Sequence, residues 1–363
     1  MKRVAVVGAG ILGLAHAVMA ARRGASVTVF ERSPRASGAS VRNFGMVWPV
    51  GQAAGKMHAM AVRSAQLWRE FLAEMGLPSR DTGSMHVVYR DDEAEVAREF
   101  AEIGPAHGYN AEWMNPRQVL ERSPVVPEGL LGGIYSPDEI TVDPRLILGS
   151  SPALIQARWP VEFRFSTAVT TAPAGFDQVF ICSGDDFETL FPDHWAASGI
   201  DRVKLQMMRT APQPSGFQLG PALAAGLTLR FYPSFRICST LPRLARRIAE
   251  ETPELERWGI HVMASETADG AITIGDSHEY GLAVDIFNKS EIDRLILDYL
   301  RGFLHLPQPE IAQHWHGVYA RHPEADYIVM NPQPGVRVVS GVGGKGMTMS
   351  WALAEESVNE VGL

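Results

Sequence analysis

VAVVGAGILGLAHAVMAARRGASVTVFER, Val4 to Arg32, decides the fold. Val4–Val7 is a short apolar run, the pattern of a strand buried on both faces. Gly8, Gly10 and Gly13 then spell G-x-G-x-x-G. Ile11 to Arg23 is rich in Ala, Leu and Met, and Gly24 stops it as a helix C-terminus. Val27–Phe30 is a second apolar strand, and it finishes on Glu31. The order strand, glycine turn, helix, strand is a βαβ unit. In such a unit Gly8 permits the tight turn, Gly10 lets the backbone approach a pyrophosphate, and Gly13 lets helix and strand pack closely. The first helical residues, Ile11 and Leu12 among them, offer free N–H groups and a positive dipole end to phosphates. Glu31 lies 18 residues after Gly13, near the ~20 expected of an acid that binds ribose hydroxyls. An acid there repels a 2′-phosphate, which disfavours NADP. FAD and NAD both fit.

Composition narrows the class. A chain of 363 residues, 46% hydrophobic and 20% charged, reads as a soluble globular protein of two domains. The net charge of −8, with no long basic run, argues against nucleic acid. Cys182 and Cys238 are the only cysteines, too few for a disulfide framework and in keeping with a reducing compartment. The first strand begins at Arg3, which leaves no room for a signal peptide. No apolar run reaches the ~18 residues that cross a bilayer. The expected location is the cytoplasm.

After Glu31 the chain runs RSPRASGASVRNFGMVWPVGQ, a loop of small residues that carries Arg32, Arg35, Arg42 and Asn43. It leaves the carboxyl end of the second strand, where open α/β sheets bind ligands. Arg42 is therefore a candidate phosphate or ribityl contact. Lys56–Met75 reads as a helix with Leu67, Phe71 and Met75 on one face. Thr82–Tyr89 reads as a strand, and Asp91–Tyr109 as a charged, solvated helix. The Pro/Gly-rich stretch ending at Pro144 marks a domain crossing, and Arg145–Gln156 reads as a helix. Val179–Cys182 is an apolar strand that stops at Ser183 and Gly184, where small residues allow a cofactor to pass closely. From Lys204 to Glu279 the texture is β: LTLRFYPSFRICS alternates, and Asp269–Gly270 turns a hairpin. A helix over 291–304, capped by Ser290, buries Ile292, Leu295, Ile296, Tyr299 and Phe303. Val336–Val339 is a strand. Gly341, Gly343, Gly344 and Gly346 follow, with Lys345 among them, before a helix that starts near Met347 and presents a second N-terminus to a ligand.

GAGILG with Glu31, GASVRNFG, ICSG and SGVGGKGMTM, in that order, resemble the FAD-dependent amine and amino-acid oxidoreductases, the group of glycine oxidase, sarcosine oxidase and D-amino-acid oxidase. The stretches ASVRNFGMVWP, LRFYPSF and GDSHEYG resemble a bacterial subgroup associated with the breakdown of phosphonates such as 2-aminoethylphosphonate and its N-methyl derivative. The resemblance spans nearly the whole chain. It implies a mixed α/β fold, a Rossmann-type FAD-binding domain (1–80, 140–205 and 315–363) interleaved with a substrate domain on a large mixed, mainly antiparallel sheet (81–139 and 206–314). It assigns Gly8, Gly10, Gly13 and Glu31 to the ADP half of FAD, and Ser40, Arg42 and Asn43 to the pyrophosphate and ribityl region. Arg32, Ser183 and Gly184 border the same cofactor. Gly343, Gly344, Lys345, Gly346, Met347 and Thr348 lie along the isoalloxazine edge.

Three departures from the group matter. Gly317 stands where sarcosine oxidase has its flavin-linking cysteine, which implies non-covalent FAD. Thr273 stands at the position of its oxygen-activating lysine, so oxygen or another electron acceptor closes the cycle. Thr348 replaces a lysine that binds the substrate carboxylate, with Lys345 nearby. The implied reaction moves a hydride from a carbon bearing a neutral amine to the flavin, and the imine is then hydrolysed. The expected substrate is a small anionic amine. Tyr319, Tyr232, Arg236, Arg321, His86, His261 and Lys345 are the candidates for its cavity, since arginine bonds two oxygens of a carboxylate or phosphonate at once. His86 and His261 sit in apolar stretches, where a neutral core histidine is the ordinary reading. His314 and His316 have no cysteine or carboxylate cluster beside them, so no metal is expected. Three functions compete: an amine oxidoreductase with FAD, an NAD-dependent dehydrogenase that needs only the first motif, and a flavoprotein without catalysis.

Overall fold

A computed structural model describes all residues, Met1–Leu363. The opening unit forms as its pattern requires. Arg3–Val7 and Ser26–Phe30 are parallel strands joined by the helix Ile11–Arg22. They lie inside a six-stranded sheet whose order is Ile328–Gln333, Val336–Ser340, Gln178–Ile181, Arg3–Val7, Ser26–Phe30, Val161–Arg164. All neighbours are parallel except the first two, which form a hairpin. The first strand is central because both its faces are apolar; Val4, Ala5 and Val6 have no exposed surface.

A second sheet of nine strands is mixed. Its order is Glu279–Gly281, Asp201–Pro212, Ala271–Gly275, Met263–Glu266, Ala222–Ala225, Ser84–Val88, Gly132–Ser136, Glu112–Met114, and Ile311–Arg321 also pairs with Asp201–Pro212. Only the pair Ala222–Ala225 with Ser84–Val88 is parallel. Met46–Val47 and Ile140–Thr141 form a small ribbon. The boundaries read at 205 and 315 fall inside the strands Asp201–Pro212 and Ile311–Arg321, both of which belong wholly to the nine-stranded sheet. The helix Lys56–Met75 packs on the helices Ile11–Arg22 and Gly346–Glu360, around the buried rings of Trp68, Phe71 and Trp351.

Several local expectations need correction. LTLRFYPSFR is helical, not β: Gly226–Phe231 is a short α-helix and Pro233–Ile237 a 3-10 turn. Tertiary packing overrides the alternation. Gly226 has no side chain, and a methyl there would lie 2.0 Å from the Glu93 carboxyl carbon. The helix Leu241–Glu251, buried through Leu244 and Ile248, also escaped the reading. The helix Asp91–Ile103 is not simply solvated. Asp92 and Glu93 are buried and bind Arg247 at 2.6 and 3.2 Å. Ser290 is the first helical residue rather than the cap, and that helix ends at Arg301, leaving Phe303 buried beyond it.

Candidate active site

The glycine turn forms a cradle at the carboxyl end of the six-stranded sheet. Gly8 has φ +102°, and a methyl on it would sit 2.4 Å from the Cys182 carbonyl oxygen. A methyl on Gly13 would sit 1.9 Å from the carbonyl oxygen of Gly8. Backbone blocks both, so only glycine fits. At Gly10 the neighbour is a side chain, Ser40 Oγ at 3.0 Å. That hydroxyl accepts the Ile11 N–H at 2.9 Å, at the start of the first helix. The Glu31 carboxylate accepts the N–H groups of Ala9 and Ser33, each at 2.9 Å. Ser183 passes under the same turn, its Cα 3.5 Å from a methyl built on Gly8, and the Gly184 carbonyl accepts Ser340 Oγ at 2.9 Å.

The tail of the chain returns to this place. A methyl on Gly346 would lie 4.0 Å from Ile11 Cγ2, so the helices Ile11–Arg22 and Gly346–Glu360 begin side by side. Two positive helix ends thus converge. The second is pinned by Trp68 Nε1, which donates to the Met347 carbonyl at 2.7 Å, and by Thr348 Oγ1, which accepts the Trp48 N–H at 2.9 Å.

Beyond the glycine loop, aromatic and imidazole side chains from the nine-stranded sheet and its connections gather into one cluster, the candidate substrate chamber. A methyl on Gly344 would be 3.4 Å from the Tyr319 hydroxyl, and Arg321 bridges to Val342 while its guanidinium lies 4.8 Å over the Tyr280 ring. Deeper in, His261 stacks on Phe231 (3.7 Å) and meets Tyr232 edge-on (5.7 Å). Trp48 lies 6.2 Å from Tyr232 and 5.5 Å from His86. His261 Nε2 is 3.3 Å from Asp276 Oδ1. His278 joins them, and the three donor atoms fall within 4.8 Å of one another, a donor set that could also hold a metal ion. Burial keeps all three histidines uncharged, with His86 drawn down to about 3, His278 to about 4 and His261 well below its usual value. Burial also holds the Asp276 carboxyl far above the carboxylate range, and the Tyr319 hydroxyl above its ordinary value, with Asp276 adding to the latter.

Residues 3–359 match the family described as FAD dependent oxidoreductase (DAO). The chain belongs to that family. It is a FAD-dependent oxidoreductase, and the NAD-dependent alternative falls. Similar solved structures include glycine oxidase from Geobacillus kaustophilus (TM-score 0.76, 18% identity, 99% of this chain and 95% of that chain). L-proline dehydrogenase from P. horikoshii (0.75, 19%, 99% and 93%) and L-alpha-glycerophosphate oxidase from Mycoplasma pneumoniae with FAD bound (0.74, 16%, 100% and 96%) share the fold. No curated protein matches by sequence.

The cradle of this oxidoreductase fits a dinucleotide. Backbone contact enforces two of its glycines, an acid ends the second strand, and two helix N-termini meet above it. Other sequence candidates take different places. Asn43 braces its own loop, donating to Ala39 and Ser40 carbonyls and accepting from Gly45 N–H. Arg42 donates to the His316 carbonyl at 3.2 Å, and Arg32 pairs with Asp186 at 2.9 Å. Gly343 has φ +59° at the loop apex. Tyr319, Tyr232, Arg321, His86 and His261 are gathered around the chamber. Two candidates are not. Lys345 is drawn away to Asp326 at 2.6 Å, and Arg236 is exposed on the 3-10 turn without a hydrogen bond or ion pair. His314 and His316 are spent on Asp293 (3.1 Å) and Asn288 (3.0 Å).

The sequence reading missed Asp276, His278, Phe231, Trp48 and Arg230. Arg230 is nearly buried, 3.0 Å from Glu256, with Nε unbonded. A strand signal masked it, since in a strand Arg230 would alternate outward. Asp276 and His278 sat in the GDSHEYG stretch, where an acid directly after an apolar strand was the available cue.

Proposed function

We propose that the chain oxidises the C–N bond of a small anionic amine, 2-aminoethylphosphonate or its N-methyl derivative foremost, to an imine that water converts to an aldehyde and ammonia, or methylamine from the N-methyl form. The observation that carries this reading is the chamber itself: Arg321 and Tyr319 stand against the glycine loop, with uncharged imidazoles and a buried carboxyl behind them. Bound FAD supplies the two-electron acceptor. Gly8, Gly10, Gly13, Glu31 and Ser40 would hold its ADP half, and the loop 343–348 its reacting half. Arg321 binds the substrate anion through its guanidinium fork. The walls formed by Tyr232, Phe231, Trp48 and Tyr319 exclude water and favour the uncharged amine, the form that can be oxidised. The phosphonate assignment rests on the subgroup likeness and on the absence of a lysine in the chamber, with Thr348 tied to Trp48 and Lys345 to Asp326.

Non-covalent FAD follows the same reading. Cys182 and Cys238 are both buried, and burial raises both thiols, Cys238 to about 12. Two buried, unlinked thiols also favour the cytoplasm, and no helix is long and apolar enough to cross a membrane. The electron acceptor is oxygen or a substitute, because Thr273 offers no cation near the pocket. The second reading is oxidation of glycine, sarcosine or a D-amino acid, which the shared fold favours.

Anaerobic bleaching of the flavin band near ~450 nm separates these. The panel is glycine, sarcosine, D-alanine, 2-aminoethylphosphonate and its N-methyl form. Faster bleaching by a phosphonate amine than by glycine is the expected order. The reverse order selects the second reading, and no bleaching by any member removes both.

A further inference from the structure

Asp276 follows the hairpin strand Ala271–Gly275 and is only 5% exposed, yet its Oδ1 has no hydrogen bond. His261, 1% exposed, has neither ring nitrogen hydrogen-bonded, although its Nε2 stands 3.3 Å from that oxygen. His278 is fixed by a 2.9 Å contact of Nδ1 with the Gly259 carbonyl, and the Tyr232 hydroxyl is 3.2 Å from Met263 Sδ. The fixed cations nearby are otherwise placed: Arg230 faces Glu256 and Arg321 covers Tyr280. A buried carboxyl oxygen without a hydrogen-bond donor is costly. Such a group is explained where a ligand brings the missing donor. The rings of Phe231, His261 and Tyr232 beside it exclude water, which favours an uncharged amine whose N–H can donate to that oxygen.

We infer that Asp276 is the subsite for the substrate's amine nitrogen. This rests on the amine-oxidising reading above. It sets the substrate's direction: nitrogen at Asp276, anion at Arg321, and the carbon between them toward the glycine loop and Tyr319.

The test uses holoenzyme reduced beforehand with dithionite, so that binding is read without turnover. Dissociation constants are measured by tryptophan fluorescence for two pairs of probes: 2-aminoethylphosphonate with ethylphosphonate, and glycine with acetate. Wild type is expected to prefer the amino member. Asp276→Asn should weaken that member by about tenfold to a hundredfold and change its deaminated partner by less than about twofold. If Asp276→Asn does not retain flavin, Asp276→Glu must keep the amine preference and Asp276→Ser must lose it. A preference that survives Asp276→Asn overturns the inference while leaving the amine reading intact. Equal weakening of both members makes Asp276 structural and also overturns it. So does a stoichiometric divalent metal in the purified protein that is lost with Asp276→Asn. Wild type with no amine preference in either pair overturns the amine reading itself.

Discussion

Gly8 and Gly13 have no room to change. A methyl at either would strike backbone, at 2.4 and 1.9 Å, and backbone cannot swing aside. Gly10 differs, because only the Ser40 hydroxyl at 3.0 Å must rotate. Gly13→Ala is therefore expected to abolish flavin retention, while Gly10→Ala keeps the fold and part of the flavin, losing the Ser40 bond to Ile11. The flavin-to-protein absorbance ratio of the purified variants checks this, and equal losses would refute it. A second residue-scale prediction concerns Glu139, which is 1% exposed and accepts from Val50 N–H (2.8 Å) and Ser84 Oγ (3.0 Å). Burial lifts its carboxyl to about 7 from 4.5, against the pull of hydrogen bonds from Ser136, Val50 and Ser84. Its folded value lies above the unfolded one, so the folded state keeps a proton that the unfolded chain releases. The ionisation penalty is absent below pH 4.5 and complete above pH 7. Glu139→Gln removes it, and its stability relative to wild type should rise by about 3 kcal/mol across that window. Denaturant melts at pH 4.5 and 8 measure the change; a flat difference excludes it.

The helix Gly346–Glu360 is the element on which the site turns. Its first turn fixes Trp48 and Trp68, and its middle buries Trp351 between Trp68 (5.5 Å) and Phe71 (4.6 Å). Trp351→Ala should cost about 3–5 kcal/mol and speed flavin release, because the helix start loses its anchor, whereas Trp351→Phe keeps most of both. Thermal melts with a flavin-release assay distinguish this from a cavity without effect on the cofactor. This helix was legible in the sequence because its signal is local: an apolar strand, four glycines, then an Ala- and Met-rich run. The opening βαβ unit was legible for the same reason. Gly226–Phe231 was not. Its conformation is set by Glu93 filling the space above Gly226, a contact between residues far apart in the chain. Asp276 was equally hidden. An acid after a strand looks solvated until Phe231 and His261, from other segments, close over it. Local periodicity gives the glycine cradle, and the ring cluster around Asp276 exists only once distant segments meet.

The six-stranded sheet is assembled from the beginning, the middle and the end of the chain. The first strand is flanked by Ser26–Phe30 on one side and Gln178–Ile181 on the other, with Val336–Ser340 next. The nine-stranded sheet is threaded between these pieces, through Asp201–Pro212 and Ile311–Arg321. Neither sheet can form independently of the other's chain segments, so the molecule should melt in one transition. On the proposed placement FAD would bind only where those separate pieces are already together, and would stabilise the folded state by mass action. Apoprotein stripped of flavin is expected to melt at a lower temperature than the holoprotein. Restored FAD should raise the melting temperature with the logarithm of its concentration, the gain reaching about 2.7 kcal/mol at a hundredfold excess over Kd. NAD offers the same ADP half but nothing to the loop 343–348, so its shift should be a small fraction of that of FAD. NADP should give none, since on the proposed placement Glu31 would face its 2′-phosphate. Equal shifts by NAD and FAD would mean that the tail of the chain does not contact the cofactor. Two separated transitions would mean that the sheets fold apart. Calorimetry on one apoprotein preparation decides both points.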